Sequence, residues 1–390
     1  MRRVRLKEFG TFYSGLSGKS KSDFSEGNAL LVTYRNIFNN PVLNPAIKDT
    51  VVVGKDEKQN EVLWGDILIT GSSETPADAG MSSVVLFNPQ EKMYLNSFCF
   101  GFRLNDMNEA LPSYIGHLLR STSIRAAISK TAFGVTRFNV NRMRFADIEI
   151  PLPPLNIQKE IVSILDSFTS LIGKMKQEVE MRKKQMEYYR EKLMAPQTNW
   201  KIKTLGEIGT FTRGNGLQKS DFRVKGFPCV HYGQIHTYYN TCIYKTKSFC
   251  EEDLAKKLQK ASYGDLLIAT TSEDVKACCK AAVWFGAGDV AYSGDSFCYS
   301  HDQDPKYMAY LFQTEMFAKQ KQKAATGAKV IRVSGESMAS FSFAFPPLVQ
   351  QRQIASILDT FESYISKLEK MIELRQKQYE YYREKLLTFE

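Results

Sequence analysis

Several familiar signatures are missing from this chain, and each absence removes a class of function. There is no C-x-x-C pair, no histidine cluster at metal-ligand spacing, and no apolar run near the ~18 residues that a membrane span needs. The seven cysteines (Cys99, Cys229, Cys242, Cys250, Cys278, Cys279 and Cys298) are odd in number and lack framework spacing. They read as reduced thiols of a cytoplasmic protein, several of them buried. The opening MRRVRLKEFG leads into no apolar core and is not expected to act as a signal peptide.

Catalytic motifs are equally scarce. The prolines of PLPPL and FPPL have no Asn or Asp before them and no aromatic after them, so the adenine methyltransferase N/D-P-P-Y/F motif is absent. GLSGKS (Gly15–Ser20) imitates a phosphate-binding loop, but Tyr13 stands where that loop requires its first glycine. FGAGD (Phe285–Asp289) reads as a tight turn. His117, His231, His236 and His301 show no helical metal spacing. The expectation is a chain with no catalytic residues, no metal and no cofactor of its own.

What is present is basic charge and repetition. Lys and Arg number 52 against 42 Asp and Glu, a formal net charge of +10. That surplus fits a polyanionic partner, of which nucleic acid is the commonest. At 390 residues with 43% apolar content, the chain is globular and suits two domains.

The repeat organises everything else. Pro153–Leu193 overlies Pro346–Leu386 without a gap, with about 24 identities in 41 positions, and EYYREKL closes both copies. Upstream, LKEFGTF (Leu6–Phe12) matches LGEIGTF (Leu205–Phe211), KSDF recurs at Lys21 and Lys219, and GDILIT (Gly65–Thr70) matches GDLLIA (Gly264–Ala269). The chain is one unit written twice, a variable module followed by a helical segment. The boundaries read as 1–152 and 196–345 for the modules, with 153–195 and 346–390 for the helical spacers.

Each spacer carries an unbroken 4-3 apolar spacing, the seam of a coiled coil. In the first copy the seam runs through Ile161, Leu165, Phe168, Ile172, Met175, Arg182, Tyr189 and Leu193. In the second it runs through Ile354, Leu358, Phe361, Ile365, Leu368, Arg375, Tyr382 and Leu386. Arg182 and Arg375 break the apolar rule at the same slot. Either they fix register or they extend out of the seam with packed stems. Two such seams are expected to bury each other as an antiparallel pair, and a helix of ~40 residues is ~60 Å long.

The modules read as α+β, a twisted mixed sheet plus helices. Strands are expected in Ala29–Phe38, Thr50–Gly54, Ser83–Phe87, Phe227–Ile235 and Ala281–Phe285, and one helix each in Pro112–Ser129 and Pro305–Gln322. The two copies agree in their apolar framework and differ in their polar loops. Lys19, Lys21 and Ser22 face Arg213, Asn215, Gln218 and Lys219. Tyr34, Arg35 and Asn36 face His231, Tyr232 and Gln234, with His236 just beyond. Ser72 and Ser73 face Thr271 and Ser272, while Arg137, Asn139 and Asn141 face Lys329 and Arg332. These are side chains that pair with base edges and phosphates, and all are candidates for DNA contact.

The layout resembles the specificity (S) subunit of Type I restriction–modification systems, and the tails PLPPLNIQKEIVSILDSF and FPPLVQQRQIASILDTF are especially similar to that family's spacers. The resemblance covers the whole chain. It implies two target recognition domains separated by a long antiparallel two-helix coiled coil, each reading one half of a bipartite, gapped double-stranded DNA target. It implies two methyltransferase (M) subunits docked on the helices, with S-adenosylmethionine on that partner, and restriction (R) subunits that can join them. The residues alone leave open a second reading, a coiled-coil scaffold whose two globular domains bind proteins without DNA specificity.

Overall fold

The computed structural model describes residues 2–389. The chain is α+β and forms two compact units that cut across the repeat. The first takes the chain up to Lys176 together with everything from Lys370, and the second is Gln177–Glu369. The cut falls inside the two long helices, Leu155–Leu193 and Leu348–Leu387. Each unit therefore holds one module, the start of its own spacer and the end of the other copy's spacer.

In the first module, an antiparallel sheet has the order Gly10–Ser14, Cys99–Leu104, Ile67–Thr70, Ser82–Val84. A second sheet places Ala29–Val32 between Thr50–Val51, antiparallel, and Met93–Leu95, parallel. The second module repeats the plan with Gly209–Arg213, Ser296–His301, Leu266–Ala269 and Lys280–Trp284. Its parallel pairs are Phe227–Val230 with Val290–Tyr292 and Cys242–Ile243 with Lys280–Trp284. The strands carrying most of the core read as near-continuous apolar runs because both faces are covered. Ile67, Leu68 and Ile69 are wholly buried, as are Leu266, Leu267 and Ile268.

Four expectations need correction. The expected strands Ala29–Phe38 and Phe227–Ile235 stop at Val32 and Val230, and the polar stretches after them are short helices, Tyr34–Asn39 and Tyr232–Thr237. Thr33 and His231 start these helices by accepting the N–H groups of Asn36 and Gly233. Local capping overrides the β-propensity of the Val and Tyr residues. The helix expected over Pro112–Ser129 is two, Pro112–Leu119 and Thr122–Ser129. Its counterpart likewise divides into Pro305–Leu311 and Glu315–Ala324, the second capped by Thr314 accepting from Phe317 N–H at 3.2 Å.

A buried glutamine fixes how each long helix leaves its module. Gln158, fully buried, accepts Leu111 N–H and donates to the carbonyls of Glu109 and Pro153. Gln351 does the same with Asp304 N–H and Pro346 O. With every polar atom satisfied, a buried amide locks orientation without a desolvation penalty.

The seam residues are covered to different degrees, and Tyr382 stays 40% exposed. Ile161, Leu165 and Ile172 are buried in the first unit, and Ile354, Leu358, Ile365 and Leu368 in the second, while Met175 and Leu193 are half-buried. Phe168 stacks on Tyr382 at 5.5 Å, and the equivalent pair, Tyr189 on Phe361, also lies at 5.5 Å. In the second unit the helices run antiparallel, since Tyr189 meets Phe361 while the earlier Lys183 reaches the later Glu369 at 2.8 Å. Arg182 bonds Glu178 and Gln185 on its own helix and lies over the Tyr364 ring. Arg375 is exposed and bonds Gln378.

Both units close their helix contacts with a glutamate that accepts a module N–H, Glu384 from Thr122 and Glu191 from Glu315, but they differ beside it. In the first, His117 is held between Asp166 (2.7 Å) and the Tyr379 hydroxyl (3.2 Å). In the second, Tyr310 replaces the histidine and donates towards Asp359 and Glu362, both at 2.9 Å.

Candidate nucleic-acid interface

Part of the candidate set lines one cleft in each module: Tyr34, Ser72, Ser73 and Arg137 in the first, Tyr232, His236, Thr271 and Ser272 in the second. In the first it has a volume of about 680 Å³. One wall is the helix Tyr34–Asn39, with Tyr34 and Phe38 stacked at 5.8 Å. The floor is Ser72-Ser73-Glu74, and the far wall is the hairpin Ala132–Phe133/Phe138–Val140, whose second strand pairs with Ser72–Ser73. Arg137 donates through Nε to Ser72 Oγ at 3.0 Å, and its guanidinium lies 5.1 Å from the Phe98 ring centre. Among the described residues its two terminal nitrogens have no hydrogen-bond partner, so the fork is positioned and still free to read.

The second module builds the same cleft, larger at about 1110 Å³. Tyr232 and His236 take the places of Tyr34 and Phe38, and Thr271-Ser272-Glu273 that of the floor. Val330 stands where Arg137 does, and Arg332 pairs with Thr271 as Asn139 pairs with Ser72. His236 Nε2 lies 2.9 Å from the Thr271 carbonyl, tying wall to floor. Beside it, Arg213, Asn215, Gln218, His231 and Tyr232 line a smaller hollow of about 470 Å³.

Not every candidate is free. Lys19 is paired with Glu57, whose carboxyl is held down at about 2 by that hydrogen bond and by those from Gln59 and Gly54. Asn36 bonds Asn40 and Asn44, Asn141 caps the helix Arg142–Ala146, and Asn215 ties down Lys257 and Gln259. His231 is buried as a cap, and burial, with Lys219 nearby, pushes its pKa below the ordinary histidine value. Gln234 is occupied by His231 N–H and Ser248. Thr271 is largely buried, and its hydroxyl lies 3.3 Å from Asp295. Lys21, Ser22, Arg35, Asn139, Lys219, Lys329 and Arg332 remain exposed, as does Arg213, which keeps one bond to the Gly294 carbonyl. Sequence reasoning passed over Phe98 and Glu74 as wall and floor. The matched pair Glu74/Glu273 in the repeat was the available signal for the floor, while Phe98 had none, since strand register puts Asp295 in its slot.

Among the described residues no group of three or more His, Cys, Asp or Glu could hold a metal, and no helix is long and apolar enough to cross a membrane. The cysteines are all free thiols, and every one except Cys242 is buried.

Comparison with known proteins agrees with this geometry. The model of the Type I restriction modification DNA specificity domain matches residues 1–181 and again 197–376. A Haemophilus influenzae chain assigned as a type I restriction enzyme specificity subunit is 30% identical over 66% of this chain and 68% of its own length. The EcoR124I/EcoR124II specificity subunit of Escherichia coli is 28% identical over 62% of this chain and 63% of its own. The fold is shared with the S subunit of M. genitalium, at TM-score 0.56 and 15% identity over 100% of this chain and 96% of that one. It is also shared with a chain from a structure concerning assembly and conformational transition of the type I R-M system, at TM-score 0.60 and 14% identity over 99% and 97%. A tandem pair of specificity domains favours DNA recognition over a protein scaffold, and the chain belongs to the Type I restriction–modification specificity subunit family.

Proposed function

We propose that each module reads one half of a bipartite, gapped duplex DNA target, and that methylation and cleavage are carried out by partner subunits. The observation that carries this is the repeated cleft. Its backbone frame recurs in both modules, while Phe38, Arg137 and Asn139 become His236, Val330 and Arg332. One frame with two sets of donors suits two different half-sites. Arg137, with its free fork, is the residue of the first cleft best suited to grip a phosphate bidentately, and the exposed Lys21, Lys219, Lys329 and Arg332 suit phosphates as well.

The long helices are the proposed docking surface for methyltransferase subunits, with the transferred methyl group supplied by S-adenosylmethionine on that partner, and for restriction subunits beyond them. Support comes from an outer apolar stripe that recurs at the same slots. Ile164, Leu171, Leu374 and Tyr381 are 41–61% exposed in the first unit. Their counterparts Ile357, Tyr364, Met181 and Tyr188 are 44–60% exposed in the second. Solvent-facing apolar residues at heptad spacing suit helix-on-helix docking, and their duplication suits two copies of one partner. The test is to express the chain with its neighbouring methyltransferase and map methylated adenines genome-wide, then repeat with the first module replaced by that of a relative. One half of the motif should change and the other persist. A motif untouched by the exchange would defeat the proposal.

A further inference from the structure

The hairpin wall of the first cleft carries chemistry that its counterpart lacks. Its turn is tight, since Gly134 adopts φ +132° and a Cβ there would lie 2.0 Å from the Arg137 carbonyl. Gly327 closes the second hairpin in the same way, at φ +103° and 2.1 Å from the Val330 carbonyl. The backbone is therefore one design used twice, and the side chains on it are what differ.

On the first hairpin and the helix that follows it, Phe133 is 57% exposed, Val135 89% and Met143 77%. Arg137, Arg142 and Arg144 lie on the same stretch of chain and are exposed as well. Arg137 is seated by Ser72 and the Phe98 ring, and Arg142 donates to Ser14 Oγ at 2.7 Å with its guanidinium 5.0 Å from the Phe100 ring centre. At the same slots the second module has Thr326, Ala328 and Glu336 for the apolar group and Val330, Gly335 and Ser337 for the arginines. Apolar side chains left in water at the hairpin tip carry a standing cost, and three exposed arginines on the same stretch argue against an apolar protein face as the occupant. Apolar wedges flanked by cations are the means by which proteins open stacked base steps from the minor groove.

We propose that Phe133, backed by Val135, enters the minor groove at the first module's half-site and partly unstacks one base step, while Arg137, Arg142 and Arg144 hold the flanking phosphates. The second module reads its half-site without such a wedge. The proposal rests on the DNA-reading function above and adds a deformation confined to one half of the target.

The test uses the full chain with its methyltransferase, on duplexes carrying the motif obtained from the methylation map. A 2-aminopurine is placed at successive steps of each half-site. Binding should brighten it at one step of one half-site only, and Phe133→Ala and Val135→Ser should each suppress the signal. Phe133→Ala should also lose about tenfold in affinity, the scale of one lost base–aromatic stack. A duplex with a mismatch at that step should restore most of the loss, because the step is already unstacked. A merely structural role for Phe133 would not produce that rescue. Selective binding without brightening would overturn the wedge and leave the DNA-reading function standing. So would an F133A variant that binds DNA normally but fails to assemble with methyltransferase, since the tip would then be a protein contact. If the wild-type complex bound no DNA sequence selectively, the underlying function would fail, and the wedge with it.

Discussion

Replacing Arg103 with alanine should loosen the first module and leave the second intact. Asp66 is wholly buried, and its carboxylate accepts four hydrogen bonds: Arg103 Nε and Nη2, both at 2.7 Å, the Tyr13 hydroxyl at 2.7 Å and Leu63 N–H at 2.8 Å. Burial, with Asp66 beside it, holds the Tyr13 hydroxyl well above its usual pKa, so it stays protonated and donating. Arg103→Ala removes two charge-assisted bonds and leaves the anion with two neutral donors. Breaking a buried pair costs about 3–5 kcal/mol, and the 38% exposure of the Arg103 side chain lowers this to roughly 2–4 kcal/mol. The paired strands Ile67–Thr70 and Cys99–Leu104 run from this site to the cleft floor. Their amides should exchange about 30- to 1000-fold faster, at 1.36 kcal/mol per decade. Hydrogen exchange resolved by peptide is the right assay, because two units need not unfold as one. Among the described residues, the matching Asp265 accepts only Ser262 N–H and Ser300 Oγ at 2.8 Å, with a weak thiol contact from Cys298, and faces no arginine. Ser300→Ala should therefore cost only about 1 kcal/mol. An unchanged Ile67–Thr70 strand, or equal loosening of Leu266–Ala269, would refute the reasoning.

Three further outcomes follow from particular contacts. His301 occupies the slot of Leu104, its buried Nε2 has no partner among the described residues, and burial pushes its pKa below the ordinary 6.5. The fold therefore keeps it neutral, and stability contributed above the ordinary value is lost as pH falls below about 6.5, where the unfolded chain takes up a proton. His301→Leu should raise stability by about 1–2 kcal/mol at neutral pH, with a margin over wild type that widens in thermal melts from pH 7 to 5. Gln158→Ala strands the Leu111 N–H and two carbonyls in a buried site and should destabilise by about 2–3 kcal/mol in denaturant melts. Leu374→Ser with Tyr381→Ser should halve the number of methyltransferase subunits bound, measured by native mass spectrometry, and leave the thermal melt of the isolated chain nearly unchanged, because both residues face solvent.

Repetition and period were legible in the sequence because they depend only on residue order. An apolar residue every three or four positions from Ile161 to Leu193 has one way to be buried, and its echo from Ile354 to Leu386 supplies a matching seam. Capping was less legible, since the Thr33 and His231 side chains end two strands that propensity would have continued. Which polar loop residues stay free was not legible at all. Asn36, Asn141, Asn215 and Gln234 look like readers in the sequence and are bound by their own module, whereas Arg137 is held at one nitrogen and open at the rest.

The sequence by itself determined the tandem plan, the helical spacers and the absence of familiar catalytic motifs, because local patterning carries those without long-range contact. The tertiary structure decided the rest. It gathered Tyr34, Ser72 and Arg137 from three distant segments into one cleft, and it stacked the tyrosine of each EYYREKL on the phenylalanine of the other copy. Those partners lie far apart along the chain, and only strand register and helix pairing bring them together.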